Sequence, residues 1–242
     1  MNPTTLTPTR PTTVEGPIEA RRLASPAGVV AIGVIGTVFL TVTSIMALNG
    51  RVPGFEATIT NKLDSEPGSG WFRIGDAVST LGSSGVVAIL SIAFAGFVVW
   101  KYRDLALATI VPLAGALGGV TELAGKQIMG RLRPPSAALI GEDGFGFPSG
   151  HTTGFAAAAF ALALTLMVIM PRRRTTLFIG LAAVASASIA IGRVLVGAHR
   201  VLDVVAGFGL GMLCAALAYV VAGAIAPLVP DSVRRLLDKG IK

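Results

Sequence analysis

Charge is scarce in this chain of 242 residues: Asp, Glu, Lys and Arg together make up 14% of it. A soluble domain carries about a quarter charged residues, so the shortage excludes an ordinary water-soluble globule. Cysteine is scarcer still. Cys214 is the sole one, which excludes an intrachain disulfide, and its place within an apolar run marks it as a small buried side chain. Histidine occurs twice, at His151 and His199, each in a short polar cluster at the end of a long apolar segment. No small-residue cleavage site follows a short apolar region near the N-terminus, so a cleaved signal peptide is not expected.

What is present is apolar. Hydrophobic residues make up 52% of the chain and its mean hydropathy is +0.74, which points to an integral membrane protein with room for one membrane domain. Six segments are long enough, at roughly 20 residues, to cross the hydrocarbon layer, near 27–49, 84–100, 105–125, 151–170, 175–193 and 203–226. Backbone groups in lipid must be satisfied within the segment, so these read as helices. Their Ala, Gly and Val content allows close helix approach. The fold expected is all-α, a six-transmembrane-helix bundle over 25–228. It is flanked by a disordered Thr- and Pro-rich tail at 1–24 and a basic tail at 229–242.

Orientation follows from the flanks. With the N-terminus inside, the inner segments carry 12 basic and 5 acidic residues, and the outer ones 8 of each. The whole excess of +7 therefore falls on one side, as the positive-inside rule requires. Both termini are expected to be cytoplasmic, in a multi-pass cell-membrane protein. The Arg172–Arg174 run is a topology anchor, and no nucleic-acid partner is expected from the basic balance. Trp100 beside Lys101 reads as an interface anchor. The outer loop of about 50–83, with Trp71, Phe72 and Ile74, is either interfacial or plain loop. The same choice holds for 231–242, which can form a short amphipathic helix capped by Asp231 or Ser232.

Alternating spans place three polar clusters on one outer face. Lys126 to Pro134 follows the third span, Phe147 to His151 precedes the fourth, and Gly192 to Asp203 bridges the fifth and sixth. Lys126, Arg133 and Arg193 supply three cations, and guanidinium forks match phosphate oxygens. Ser149, Gly150 and His151 stand where a helix begins, and free amides there favour an anion. His199 and Asp203 are four apart and would share one face of a helix. A carboxylate bonded to one imidazole nitrogen leaves the other free to attack phosphorus. His151 is then the general acid for the departing oxygen. The scheme is a phosphohistidine followed by its hydrolysis, with no metal and no cofactor. Two histidines and a carboxylate can also hold a metal, an arrangement that three neighbouring cations oppose. Lys126 and Arg193, taken singly, also suit snorkelling anchors.

At these residues the chain resembles the type 2 phosphatidic acid phosphatase superfamily. The pattern of that family is K-x6-RP, then PSGH, then SR-x5-H-x3-D. This sequence has Lys126-x6-Arg133-Pro134, Pro148-Ser149-Gly150-His151 and Arg193-x5-His199-x3-Asp203. It departs at Gly192, where the family has Ser, which removes one auxiliary hydroxyl. The resemblance implies His199 as nucleophile, Asp203 as its partner and His151 as acid, with Lys126, Arg133, Ser149, Gly150 and Arg193 holding phosphate. Arg131 lies outside the pattern and suits a headgroup or interface contact; Glu122, Glu142 and Asp143 have no assigned role. Six spans disfavour the soluble acid phosphatases and vanadium haloperoxidases of the superfamily. The function implied is hydrolysis of a lipid phosphate at the extracytoplasmic surface: phosphatidic acid, phosphatidylglycerol phosphate or a polyprenyl diphosphate such as the undecaprenyl carrier. A lipid phosphotransferase using the same phosphohistidine is the alternative enzyme, which would need an acceptor pocket that excludes water. A non-catalytic transporter or lipid-binding protein is the rival outside enzymes.

Overall fold

The computed structural model describes residues 26–48, 54–170, 174–230 and 232–233. Its main helices are α1 (Pro26–Leu48), α2 (Gly54–Leu63), α3 (Gly70–Thr80), α4 (Ser84–Tyr102), α5 (Leu105–Met129), α6 (Gly150–Ile169), α7 (Thr175–Leu195) and α8 (Val201–Ile225). Among the described residues the extended structure is one isolated bridge, Leu132 with Phe145. Six helices, α1 and α4 to α8, are long and apolar enough to cross a membrane, so the hydropathy pattern is met span for span. The expected tail over 1–24, Arg172 and Arg173 of the basic run, and all but Ser232 and Val233 of the 231–242 segment lie outside the described residues.

Helix ends differ from the expected ones where the site lies. α5 runs past 125 to Met129, and Gly130, in the left-handed region at φ 56°, stops it. Lys126 therefore sits on the last turn of α5 and not beyond it. α7 likewise continues past Arg193, the expected end of its span, to Leu195. α8 starts at Val201 and holds Asp203 in its first turn. His199 falls between α7 and α8, so the helix face expected to unite it with Asp203 does not exist. Gly197, at φ 72°, turns the chain there, and the Arg200 amide donates to Asp203 Oδ2 at 2.9 Å. A capped turn, not a helix face, brings the two side chains together.

α8 is the axis of the bundle and its most buried span; it packs against α1, α5 and α6. Its contact with α1 is made backbone to backbone. A Cβ on Gly36 would lie 2.6 Å from the Gly209 carbonyl oxygen, and one on Gly209 2.7 Å from that of Gly36. In lipid, where apolar burial gives helices little reason to associate, such close packing holds them together. Phe208 adds edge-to-face contacts with Phe160 and Phe39 at centroid distances of 5.6 and 6.2 Å. Cys214 is buried and free beside Thr121. Ile89, Leu90, Val184 and Val220 point outward, as lipid-facing residues do.

The segment between α1 and α4 folds into α2 and α3. Ser69 caps α3 by accepting from the Phe72 amide. Trp71 and Ile74 are exposed, whereas Gly75 and Ser79 are buried as α3 packs on α7. α2 packs on the start of α8. α5 and α7 end where α6 and α8 begin, and this end of the bundle, with α2 over it, carries the polar clusters.

Candidate active site

His199 is 1% exposed, and its two ring nitrogens face opposite charges. Nε2 lies 2.9 Å from Nη1 of Arg133. A guanidinium can only donate, so Nε2 accepts and the ring proton belongs on Nδ1. Nδ1 points at Asp203 Oδ2 across 3.6 Å, longer than a hydrogen bond; among the described residues it has no hydrogen-bond partner. The direct carboxylate–imidazole bond expected from the spacing is thus loosened. Asp203 gives its closer contacts to Arg131 Nη1, at 2.7 Å, and to the Arg200 amide. Burial first, then the charges of Arg133 and Arg193, outweigh Asp203 and hold the His199 imidazole below its ordinary range.

The guanidiniums of Arg133 and Arg193 converge on one carboxylate, Glu142. Its Oε2 lies 2.7 Å from Arg133 Nη1, and its Oε1 accepts from Arg193 Nη2. Burial would raise Glu142, but the bond and charge of Arg193 and the charge of Arg133 win and hold it below the usual carboxylate range. Arg193 is 5% exposed, and its Nε has no hydrogen-bond partner among the described residues. Arg133 also donates to the Ala198 carbonyl and, through Nε, to that of Asp143. Lys126 pairs with Glu122 at 2.5 Å, one turn back on α5.

The start of α6 closes the arrangement. Ser149 is its N-cap, yet the hydroxyl accepts no amide of the first turn. It is fully buried and receives the Thr152 hydroxyl at 3.2 Å. The Ser149 amide donates to the Asp203 carbonyl at 3.0 Å, which ties the α6 start to α8. A Cβ on Gly150 would stand 2.8 Å from Glu122 Oε1, so the Glu122 carboxylate of α5 lies directly against the start of α6. His151, Gly150, Lys126, Arg133 and His199 line one cavity of about 740 Å³, with Glu122, Glu142 and Asp143. Ser149, Arg193 and Asp203 stand behind its wall. The same cavity continues between α4 and α5 along Val87, Ala88, Ile92, Pro112, Ala116 and Leu123. It is charged at one end and apolar at the other.

Sequence reasoning missed three groups that the fold makes central. Arg131 is no headgroup contact: its side chain is 10% exposed and forks onto Glu56, with Nη1 to Oε1 at 3.1 Å and Nη2 to Oε2 at 2.5 Å. These bonds outweigh burial and raise its pKa further. Glu56, on α2, is 0% exposed and went unnoticed as one acid in an outer loop. Glu142 had no motif to mark it; an acidic pair, Glu142 and Asp143, between Gly141 and Gly144 was its only signal.

Gly192 has a physical explanation. A Cβ there would lie 2.8 Å from the Gly75 carbonyl oxygen, and one on Gly75 would lie 2.8 Å from Leu195 Cβ. The two glycines let α3 seat directly on α7.

Comparison with known proteins fits this geometry. Residues 104–226 match the family model described as the PAP2 superfamily, a segment that holds all three motifs. Phosphatidylglycerophosphatase B of Bacillus subtilis is 36% identical over 91 residues, 36% of this chain. The match spans 44% of that relative, less than half its length. The crystal structure of a transmembrane PAP2 type phosphatidylglycerolphosphate phosphatase from Bacillus subtilis superposes with a TM-score of 0.67 at 20% identity. It covers 81% of this chain and 98% of that one, and so shares the helical fold. Half the chain matched by the family model, and a fold shared across most of it, carry one conclusion: this multi-pass membrane protein belongs to the PAP2 superfamily.

Proposed function

We propose that this protein is an integral membrane lipid phosphatase that works through a phosphohistidine on His199. One observation carries the reading: a single cavity joins His199, His151, Lys126 and Arg133 to an apolar cleft between α4 and α5. A lipid phosphate has that same polarity, a charged head on an apolar chain.

The phosphate enters between Arg133, Arg193 and Lys126 and takes the place of the Glu142 carboxylate. Buried, unpartnered Nε of Arg193 supplies a further donor to it. The amides that open α6 add partial positive charge as the five-coordinate transition state gathers negative charge. His199 Nε2, released by Arg133, attacks phosphorus; the bond from phosphorus to the leaving oxygen breaks, and protonated His151 gives that oxygen a proton. Asp203 stabilises the imidazolium through Nδ1–H. Neutral His151 then takes a proton from water as its oxygen attacks phosphorus, the P–N bond breaks, and inorganic phosphate leaves. Neither metal nor cofactor enters these steps.

The name of the Bacillus relative points to phosphatidylglycerol phosphate. Phosphatidic acid and polyprenyl diphosphates offer the same head chemistry and complete the substrate class. The charge bias of the loops supports a site on the extracytoplasmic face, with both termini cytoplasmic.

Phosphate release from these three lipids in detergent, with EDTA throughout, tests the proposal. Full turnover in chelator is expected. Release only after a divalent metal is added would sink the histidine mechanism.

A further inference from the structure

We propose that Glu56, with Arg131 as its intermediary, is a positioning residue for the catalytic carboxylate Asp203, and that α2 is a functional part of the site. The inference rests on the phosphohistidine reading above.

Three contacts from α2 and Arg131 converge on the first turn of α8. Glu56 Oε1 accepts from the Leu202 amide at 3.0 Å. Thr60, one turn along α2, accepts from the Val201 amide at 3.4 Å. Glu56 and Thr60 thereby serve as the N-cap of α8 from another helix, satisfying amides that no side chain of the α7–α8 turn reaches. Arg131 forks onto both oxygens of Glu56, and its Nη1 bonds Asp203 Oδ1 at 2.7 Å. Glu56 and Asp203 are both 0% exposed.

The arrangement divides the labour on Asp203. Arg131 holds Oδ1 and the Arg200 amide holds Oδ2, so the carboxylate cannot rotate and Oδ2 stays aimed at His199. A lone arginine at 2.7 Å would also draw off the negative charge that His199 needs. Glu56 counters this by sharing the guanidinium, which leaves Asp203 able to stabilise an imidazolium. An Arg–Asp pair would merely neutralise itself; the triad Glu56–Arg131–Asp203 keeps a net charge of −1. Glu56 lies outside the segment matched by the family model, so this device belongs to a part of the chain that the motifs do not describe. The titratable and charged groups facing the His199–Asp203 pair are His151 from α6, Arg131, Arg133 and Glu142 from the 130–149 segment, Arg193 from α7, Arg200 before α8 and Glu56 from α2.

The test uses the full-length protein in detergent. Glu56→Gln should lower kcat about tenfold while KM for a lipid phosphate stays within about twofold, because Glu56 does not touch phosphate. Glu56→Asp, which keeps the charge, should stay within about threefold of wild type in kcat. With only two histidines in the chain, ¹⁵N-histidine NMR reads each one separately. The His199 midpoint, and with it the acid limb of kcat/KM, should move to lower pH in Glu56→Gln, and His151 should not move. Equal losses in the Gln and Asp variants, or an unmoved His199 midpoint, overturn the proposal. Should Glu56→Gln aggregate, Arg131→Lys serves instead: it keeps the charge beside Asp203 and loses the fork to Glu56. Wild-type kcat or a wild-type His199 midpoint in that variant overturns the assignment, as does aggregation of all three variants. A wild-type protein that hydrolyses no lipid phosphate refutes the functional reading alone, since the histidine titration needs no turnover.

Discussion

Arg133 Nη1 stands 2.9 Å from His199 Nε2, so the nitrogen proposed as nucleophile is covered by the very cation proposed to receive the phosphate. The contact sets the tautomer and guards the lone pair at once. In the proposed mechanism an entering phosphate takes the arginine N–H for itself and uncovers Nε2, which ties catalytic competence to occupancy of the anion site.

His199→Ala is expected to lower phosphate release at least about a thousandfold, the scale on which loss of a nucleophile acts. A quench in base after brief exposure to radiolabelled lipid should trap phosphoprotein in the wild type and none in the variant. Catalysis retained by His199→Ala would overturn the nucleophile assignment.

Glu142 holds the position between Arg133 and Arg193 that the proposed mechanism gives to phosphate. Removing its charge should therefore favour substrate. Glu142→Gln is expected to lower KM about threefold to tenfold, a gain of about 0.7 to 1.4 kcal/mol in binding. A higher KM in steady-state assays would instead make Glu142 a support that orders the two arginines.

The acid limb of kcat/KM should lie below the ordinary imidazole value of about 6.5. Burial and the neighbouring arginines lower the His199 pKa, so the neutral nucleophile persists as pH falls through that value. The sign for stability is the opposite. The unfolded chain takes up this proton first, so the contribution of His199 to folding is whole above pH ~6.5 and declines as pH drops below it. A kcat/KM profile alongside thermal unfolding in detergent measures both; an acid limb above 6.5 contradicts the geometry.

Gly115 and Gly119 on α5 line the apolar part of the cavity with open space at their Cβ positions. Gly119→Leu should fill it without a clash. KM for a long-chain lipid phosphate is expected to rise about fivefold to tenfold, on the scale of 1.4 kcal/mol per factor of ten. Hydrolysis of a small soluble phosphomonoester should be unchanged. Equal effects on both substrates would show that the cleft does not hold the chain.

Gly192→Ser restores the residue of the family pattern but sets its Cβ 2.8 Å from the Gly75 carbonyl oxygen. Overpacking of this kind costs about 1–3 kcal/mol. The variant is expected to unfold at lower temperature than wild type, with no gain in kcat. An unchanged melting profile would mean that α3 shifts away freely.

The six spans and the motif residues were legible in the sequence because both are local properties. A run of apolar residues long enough for the bilayer must be helical, whatever surrounds it, and alternation of spans then puts Lys126, His151 and His199 at one end of the bundle. The helix ends were less legible, since capping settles them: Gly130 stops α5 beyond Lys126, and Arg200 with Asp203 starts α8 after His199. Gly192 could be seen as a departure but not explained, because its reason, Gly75, is far away in the chain.

The sequence by itself determined the class of this protein, the end of the bundle that carries polar chemistry, and the residue types able to bind and attack a phosphate. Only the tertiary structure decided which charges meet. Glu56 and Arg131 are 75 positions apart yet hydrogen-bonded, and Glu142 and Arg193 are 51 apart and joined. No periodicity or spacing encodes such pairs. They form because a charge buried near lipid is costly until an opposite charge is folded against it, and the packing of α2 on α8 and of the 130–149 segment over α7 and α8 selects the partner.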